Sequence, residues 1–150
     1  HLTIKKLNLK IFDKKKYYEQ SFNLGIPQID LDKLKDKIFG VENNLDELNA
    51  IDFTKGCYVG QENTSRIKLR NKLRRRILPI KKITGEILEN DIIKYGDKEI
   101  GKIMISKPYS FALIKVVDPN LEEFMNTELA CGKSKVKVLK PKFLLDEKKV

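Results

Sequence analysis

The chain has 150 residues, 41% of them hydrophobic and 35% charged, and a formal net charge of +10. That apolar share is enough to bury a core in one globular unit or two small ones, and no apolar run approaches the roughly 18 residues of a membrane-spanning helix. The single histidine is His1, which excludes a Ser-His-Asp or Cys-His machine built within the chain, and Cys57 and Cys131 have no metal-type spacing. With no signal-like apolar stretch near the N-terminus, the chain is expected to be soluble and intracellular, with no membrane partner and no bound metal.

Residues 2–12 alternate loosely between apolar and basic types and predict a strand. Asp13 then predicts a helix cap. Tyr18 and Phe22, with Tyr17 and Leu24, predict one apolar helical face, which Gly25 and Pro27 end. Leu31, Leu34 and Ile38 predict a short second helix, and Asn43 or Asn44 a cap for a further turn carrying Leu45 and Leu48. Residues 55–62 hold two glycines and no amphipathic period, so a loop is expected there. Residues 62–72 return to polar, helix-compatible sequence.

From Arg74 onward short β-branched runs alternate with turn residues, the pattern of a small barrel or sandwich. The expected strands are 77–81, 86–88, 92–95, 99–105, 111–117, 127–131 and 135–139, with a hairpin at Gly96-Asp97. Gly101 inside a strand predicts a bulge or a close contact. Lys135 and Lys137 alternate with Val136 and Val138, giving that strand one wet face. The division falls into residues 1–74, carrying the loop, and 75–150, a β-barrel; the class is α+β.

Residues 55–62 read Lys-Gly-Cys-Tyr-Val-Gly-Gln-Glu, with Arg66 four residues after the glutamate. This closely resembles the signature of the YgfZ family, folate-binding relatives of the glycine-cleavage T-protein that serve iron–sulfur enzymes. Gly25-Ile26-Pro27, residues 99–103 and residues 110–116 resemble further elements of the same family. The resemblance covers residues 7–145 and matches the family's second half; the first half, which completes the folate site, is not among these residues. It implies a T-protein-like fold, a tetrahydrofolate cofactor, and iron–sulfur client or assembly proteins as partners, including a tRNA-modifying enzyme. It also implies a cytoplasmic location, or the mitochondrial matrix in a eukaryote. A monomer without independent catalysis is expected of this chain.

Carried onto this sequence, the family's functional thiol is Cys57, and its ligand-binding positions are Lys55, Gly56, Tyr58, Gly60, Gln61, Glu62 and Arg66. The residue types leave alternatives open. A neighbouring ammonium such as that of Lys55 favours a thiolate, yet a free cysteine is as a rule a small buried hydrophobe. One thiol cannot hold a four-iron cluster, which typically takes four. Gly56 and Gly60 suit either a close approach to a ligand or a plain turn. Gln61 and Glu62 can meet a pterin edge, and the planar fork of Arg66 suits a glutamate-tail carboxylate. Equally, Glu62 and Arg66 stand at helical ion-pair spacing. Cys131 reads as a barrel-core residue.

Two rival functions follow from other features. An aminomethyltransferase of glycine cleavage would share the glycine frame, but the T-protein motif lacks the cysteine. An RNA-binding module could use the stripe Lys68, Arg70, Lys72, Arg74, Arg75 and Arg76, reaching tRNA through its arginines. Single-strand binders interleave aromatics with such cations, and this stripe has none.

Overall fold

A computed structural model describes residues 13–56, 59, 61–69 and 73–145. The strand expected over 2–12 lies outside these residues. Helix α1 (Lys14–Asn23) starts where Asp13 accepts the backbone N–H of Lys15 at 3.0 Å. It ends at Gly25, whose φ of +73° is a left-handed conformation open to glycine. A Cβ there would stand 2.3 Å from Cγ of Pro141, so the same glycine also lets the far end of the chain pack closely.

The apolar face of α1 is narrower than expected. Phe22 stacks on Tyr109 at 5.3 Å between centroids and meets Phe111 edge-on at 5.6 Å, whereas Tyr17 is 56% exposed and Leu24 is also outside. Residues 17 and 18 are separated by a helical step of about 100°, so only one of the two tyrosines can turn inward. The second expected helix is a single 3-10 turn, Leu31–Lys33; Leu34 after it is buried but Leu31 is exposed. Asn44 does not act as a helix cap. It sits at φ +60°, fully buried, and its side-chain amide donates to the carbonyl of Ile77 at 2.8 Å. Helix α2 spans Gln61–Leu69.

Six antiparallel strands follow and close into a barrel: β1 (Arg75–Thr84), β2 (Ile92–Tyr95), β3 (Lys98–Ile105), β4 (Ser110–Lys115), β5 (Leu129–Cys131) and β6 (Ser134–Val138). Around the barrel the order is β1-β4-β3-β2-β5-β6. β1 is shared between two neighbours: Arg75 to Ile80 pair with β4, and Ile80 to Thr84 pair with β6. Inward positions carry Leu78, Ile80, Ile93, Ile103, Ile114, Val136 and Val138, all essentially without exposure. Each such side chain contributes about 1.5–3 kcal/mol.

The barrel's outer wall is covered on one side. Ile77 to Ile80 are four consecutive buried residues, which alternation against a single core cannot produce. Leu78 and Ile80 point inward, while Ile77 joins Ile105, Phe111 and Leu34 in a second cluster beneath Phe22 and Ile38. Residues 13–50 thus supply the outer cover for β1, β3 and β4.

The segment 86–88 is a loop, not a strand. Its apolar residue Ile87 is buried as an anchor, and the backbone N–H of Leu88 goes to the Asp91 carboxylate at 2.9 Å instead of to a neighbouring strand. β4 ends at Lys115, short of Val117, where Val116 donates back to the carbonyl of Arg74. Gly101 does both things its place predicts. The β2–β3 register shifts beside it, and a Cβ would meet Leu113 O at 2.8 Å and Ile114 Cδ1 at 2.5 Å. Two short helices were not anticipated: α3 (Leu121–Phe124), which brings Phe124 into the core, and α4 (Lys142–Leu145), which brings Leu144.

Candidate functional site

The Lys-Gly-Cys-Tyr-Val-Gly-Gln-Glu motif runs from an exposed bend into the first turn of α2. Before it, Asp52 accepts the backbone N–H and the hydroxyl of Thr54 at 2.8 and 2.7 Å. These bonds, with a backbone contact from Lys55, hold its carboxyl below the usual carboxylate range. The bend is therefore fixed on its upstream side by a charged cap. Lys55 and Gly56 are exposed, and no described atom comes within 4 Å of where a Cβ on Gly56 would stand. Cys57, Tyr58, Gly60 and the side chain of Gln61 lie outside the described residues, as does Arg70.

On α2, Arg66 forms an ion pair with Glu62 one turn earlier; both side chains are more than half exposed. The helix is held to the preceding segment by its other cation, Lys68, which pairs with Asp46 and lies 5.4 Å from the centroid of the Phe53 ring.

Residues 42–47 form a polar hub between this helix and the barrel. Besides Lys68, they take two arginines from the start of β1. Arg75 pairs with Glu42 at 2.9 Å; Arg76 pairs with Glu47 and donates to Asn44 Oδ1 at 3.1 Å. Glu42 also accepts the backbone N–H of Phe39 at 2.9 Å. The Arg76–Glu47 pair is nearly enclosed, with side-chain exposures of 13% and 12%. Three members of the basic stripe, Lys68, Arg75 and Arg76, are thus engaged by acids of this hub.

Next to the hub lies an open groove of about 660 Å³. Ile67 of α2, Leu73, Arg74 and Arg75 form one side, and Phe39, Lys115 and Val117 the other, with the acids Glu42 and Asp118 also at its wall. None of the described motif positions Lys55, Gly56, Glu62 and Arg66 lines it. The sequence carries little sign of this groove. Its apolar members come from four separate stretches of chain, and the one local signal was the exposed Val117 just past a strand.

Among the described residues there is no cluster of three or more metal-ligating side chains and no helix long and apolar enough to cross a membrane. Cys131 is buried in β5, and desolvation raises its thiol pKa above the ordinary value, against a lowering contact from Ser134.

No family model matches the chain. It is similar to the mitochondrial iron–sulfur cluster assembly factor IBA57 homolog of Neurospora crassa, with 35% identity over 114 residues. That alignment covers 75% of this chain and 23% of the fungal protein. The mitochondrial IBA57 of Mus musculus is 36% identical over 69 residues, 46% of this chain and 19% of the mouse protein. The mitochondrial IBA57 homolog of Dictyostelium discoideum is 46% identical over 56 residues, 37% of this chain and 14% of that protein. The chain therefore spans about a quarter or less of the curated relatives it matches, and all three carry the name of an iron–sulfur cluster assembly factor.

Proposed function

We propose that the chain is the C-terminal part of a YgfZ-type accessory factor that supports the assembly or repair of iron–sulfur enzymes, a tRNA-modifying enzyme among them. The observation that carries this reading is the 35% identity, over three quarters of the chain, to a protein named for iron–sulfur cluster assembly. The relatives are named as mitochondrial proteins, which favours the mitochondrial matrix over the cytoplasm. Cys57 is the functional thiol in this reading. Exposed Lys55 two residues before it favours the thiolate, and the open space beside Gly56 leaves the bend approachable.

Tetrahydrofolate belongs to the same reading, within a T-protein-like whole. The described motif residues fit one edge of such a site and not an enclosure, because Lys55, Gly56, Glu62 and Arg66 are all exposed. Arg66 would hold the glutamate-tail carboxylate. Its present pair with Glu62 is exposed and worth only about 0.5 kcal/mol, so a ligand carboxylate can replace it at little cost. Lys55 adds positive charge at the same edge. When bound, the folate would supply one-carbon chemistry or a structural ligand.

Cells lacking the endogenous factor provide the test. Cys57→Ser in the full-length protein should leave thermal stability nearly unchanged while the activity of iron–sulfur enzymes falls sharply; intact client activity overturns the assignment. Calorimetry with tetrahydrofolate should show binding by the full-length protein that this chain largely lacks and that Arg66→Ala weakens. Equal affinity in both would place the whole pocket within these 150 residues.

A further inference from the structure

The barrel carries a second concavity, on the rim away from the motif. It is a cleft of about 420 Å³ between β1, the 106–110 turn and α1, in the size range of small-ligand sites. Lys81, Lys82 and Lys107 line it together with the aromatic rings of Phe22 and Tyr109. One acid, Glu86, faces the same space; Lys107 pairs with it at 2.7 Å, and Lys107 and Lys82 together hold its carboxyl below the usual range.

The lysines extend beyond the cleft. Lys81 stands directly across from Lys137 on β6, a like-charge cross-strand pair of the kind that destabilises a sheet. No acidic partner of either is found among the described residues. The Tyr109 hydroxyl lies 3.5 Å from the Lys15 carbonyl oxygen, which ties that ring to the start of α1. Positive charge that one acid only partly offsets, beside a stacked aromatic pair, is the kind of surface that binds single-stranded nucleic acid: phosphates take the cations and bases take the rings. The linear stripe at residues 68–76 lacks aromatics, and folding supplies them here, to a different set of cations.

We propose that this rim binds single-stranded nucleic acid, with phosphates at Lys81, Lys82 and Lys137 and a base against Tyr109. The inference is independent of the role assigned to Cys57. Fluorescence anisotropy with a labelled oligouridine tests it on the intact chain. Wild-type binding should weaken steeply between about 50 and 200 mM salt. Lys81→Glu with Lys82→Glu should weaken binding about ten-fold or more and reduce the salt slope by roughly 1.4, the share of two phosphate contacts on a single strand. Glu86→Gln should tighten binding several-fold by removing the one acid. Tyr109→Leu, checked by melting because it packs on Phe22, should weaken binding about ten-fold at unchanged salt slope. Lys102→Glu, exposed on β3, makes half of that charge change outside the cleft and should change affinity less than about two-fold. The proposal is overturned by absence of wild-type binding, by Lys102→Glu matching the double variant, or by loss of binding in Arg74→Glu with none in the double variant.

Discussion

Cys131 ends β5 with its side chain inside the barrel, and Ser134 across the turn donates its hydroxyl to the Cys131 carbonyl at 2.6 Å. A hydroxyl in place of the thiol would need its own partner in an apolar interior, so Cys131→Ser should cost about 1–3 kcal/mol in urea unfolding. The raised pKa has a definite sign in pH. The folded state holds the thiol proton more tightly than the unfolded chain, so this contribution is complete below the unfolded thiol's pKa and declines as pH rises through the folded one. The stability difference between wild type and Cys131→Ala should therefore shrink in alkaline buffer and stay flat below about pH 8. A difference that grew above that pH would contradict the buried-thiol account. Native-state alkylation of Cys131 should likewise be slow. Its role was legible from the apolar run Leu129-Ala130-Cys131. The partner of Arg66 was not, because the fork suits a ligand carboxylate and Glu62 equally well.

At the scale of elements, strands were easier to read than caps or covers. Alternation on β6 places Lys135 and Lys137 outward and Val136 and Val138 inward, as the residue types require. Residues 86–88 deceived because β-branched character there reports the burial of Ile87 and no ladder. Helix α3 is signalled by its first residues. Asn120 and Glu123 form a reciprocal capping box, with Glu122 N to Asn120 Oδ1 at 3.1 Å and Asn120 N to Glu123 Oε1 at 3.0 Å. Asn120→Ala should cost about 1 kcal/mol by chemical denaturation, since the helix it starts holds Phe124 in the core. The groove at α2 was not legible for a different reason. Phe39, Ile67, Leu73 and Val117 converge only once β1 and β4 have placed their stretches together. Arg76 joins those parts. Arg76→Ala would leave Glu47 enclosed without its cation and should cost about 3 kcal/mol. Lys98→Ala, which loses an exposed pair with Asp118, should cost less than about 1 kcal/mol.

Across the whole molecule, the α+β class with a C-terminal barrel could be read from the change of pattern near Arg74, whereas strand order could not. Seven short runs were expected and six strands form, the run at 86–88 being a loop; two-residue periodicity says which side faces the core but not which neighbour a strand finds. The finished barrel has a single seam, where the second half of β1 meets β6, the last strand made. That seam joins Ile80 to Val138, so the ring stays open until nearly the whole domain has left the ribosome. A premature stop after Lys133 would strand both edges: β5 would lose one neighbour and β1 half of its ladder, exposing Lys81 to Thr84 and Leu129 to Cys131 as unpaired backbone. Such a nonsense product should form insoluble aggregates in cells even though it keeps most of its apolar core residues, whereas a stop after Leu139 should leave a ring that still closes.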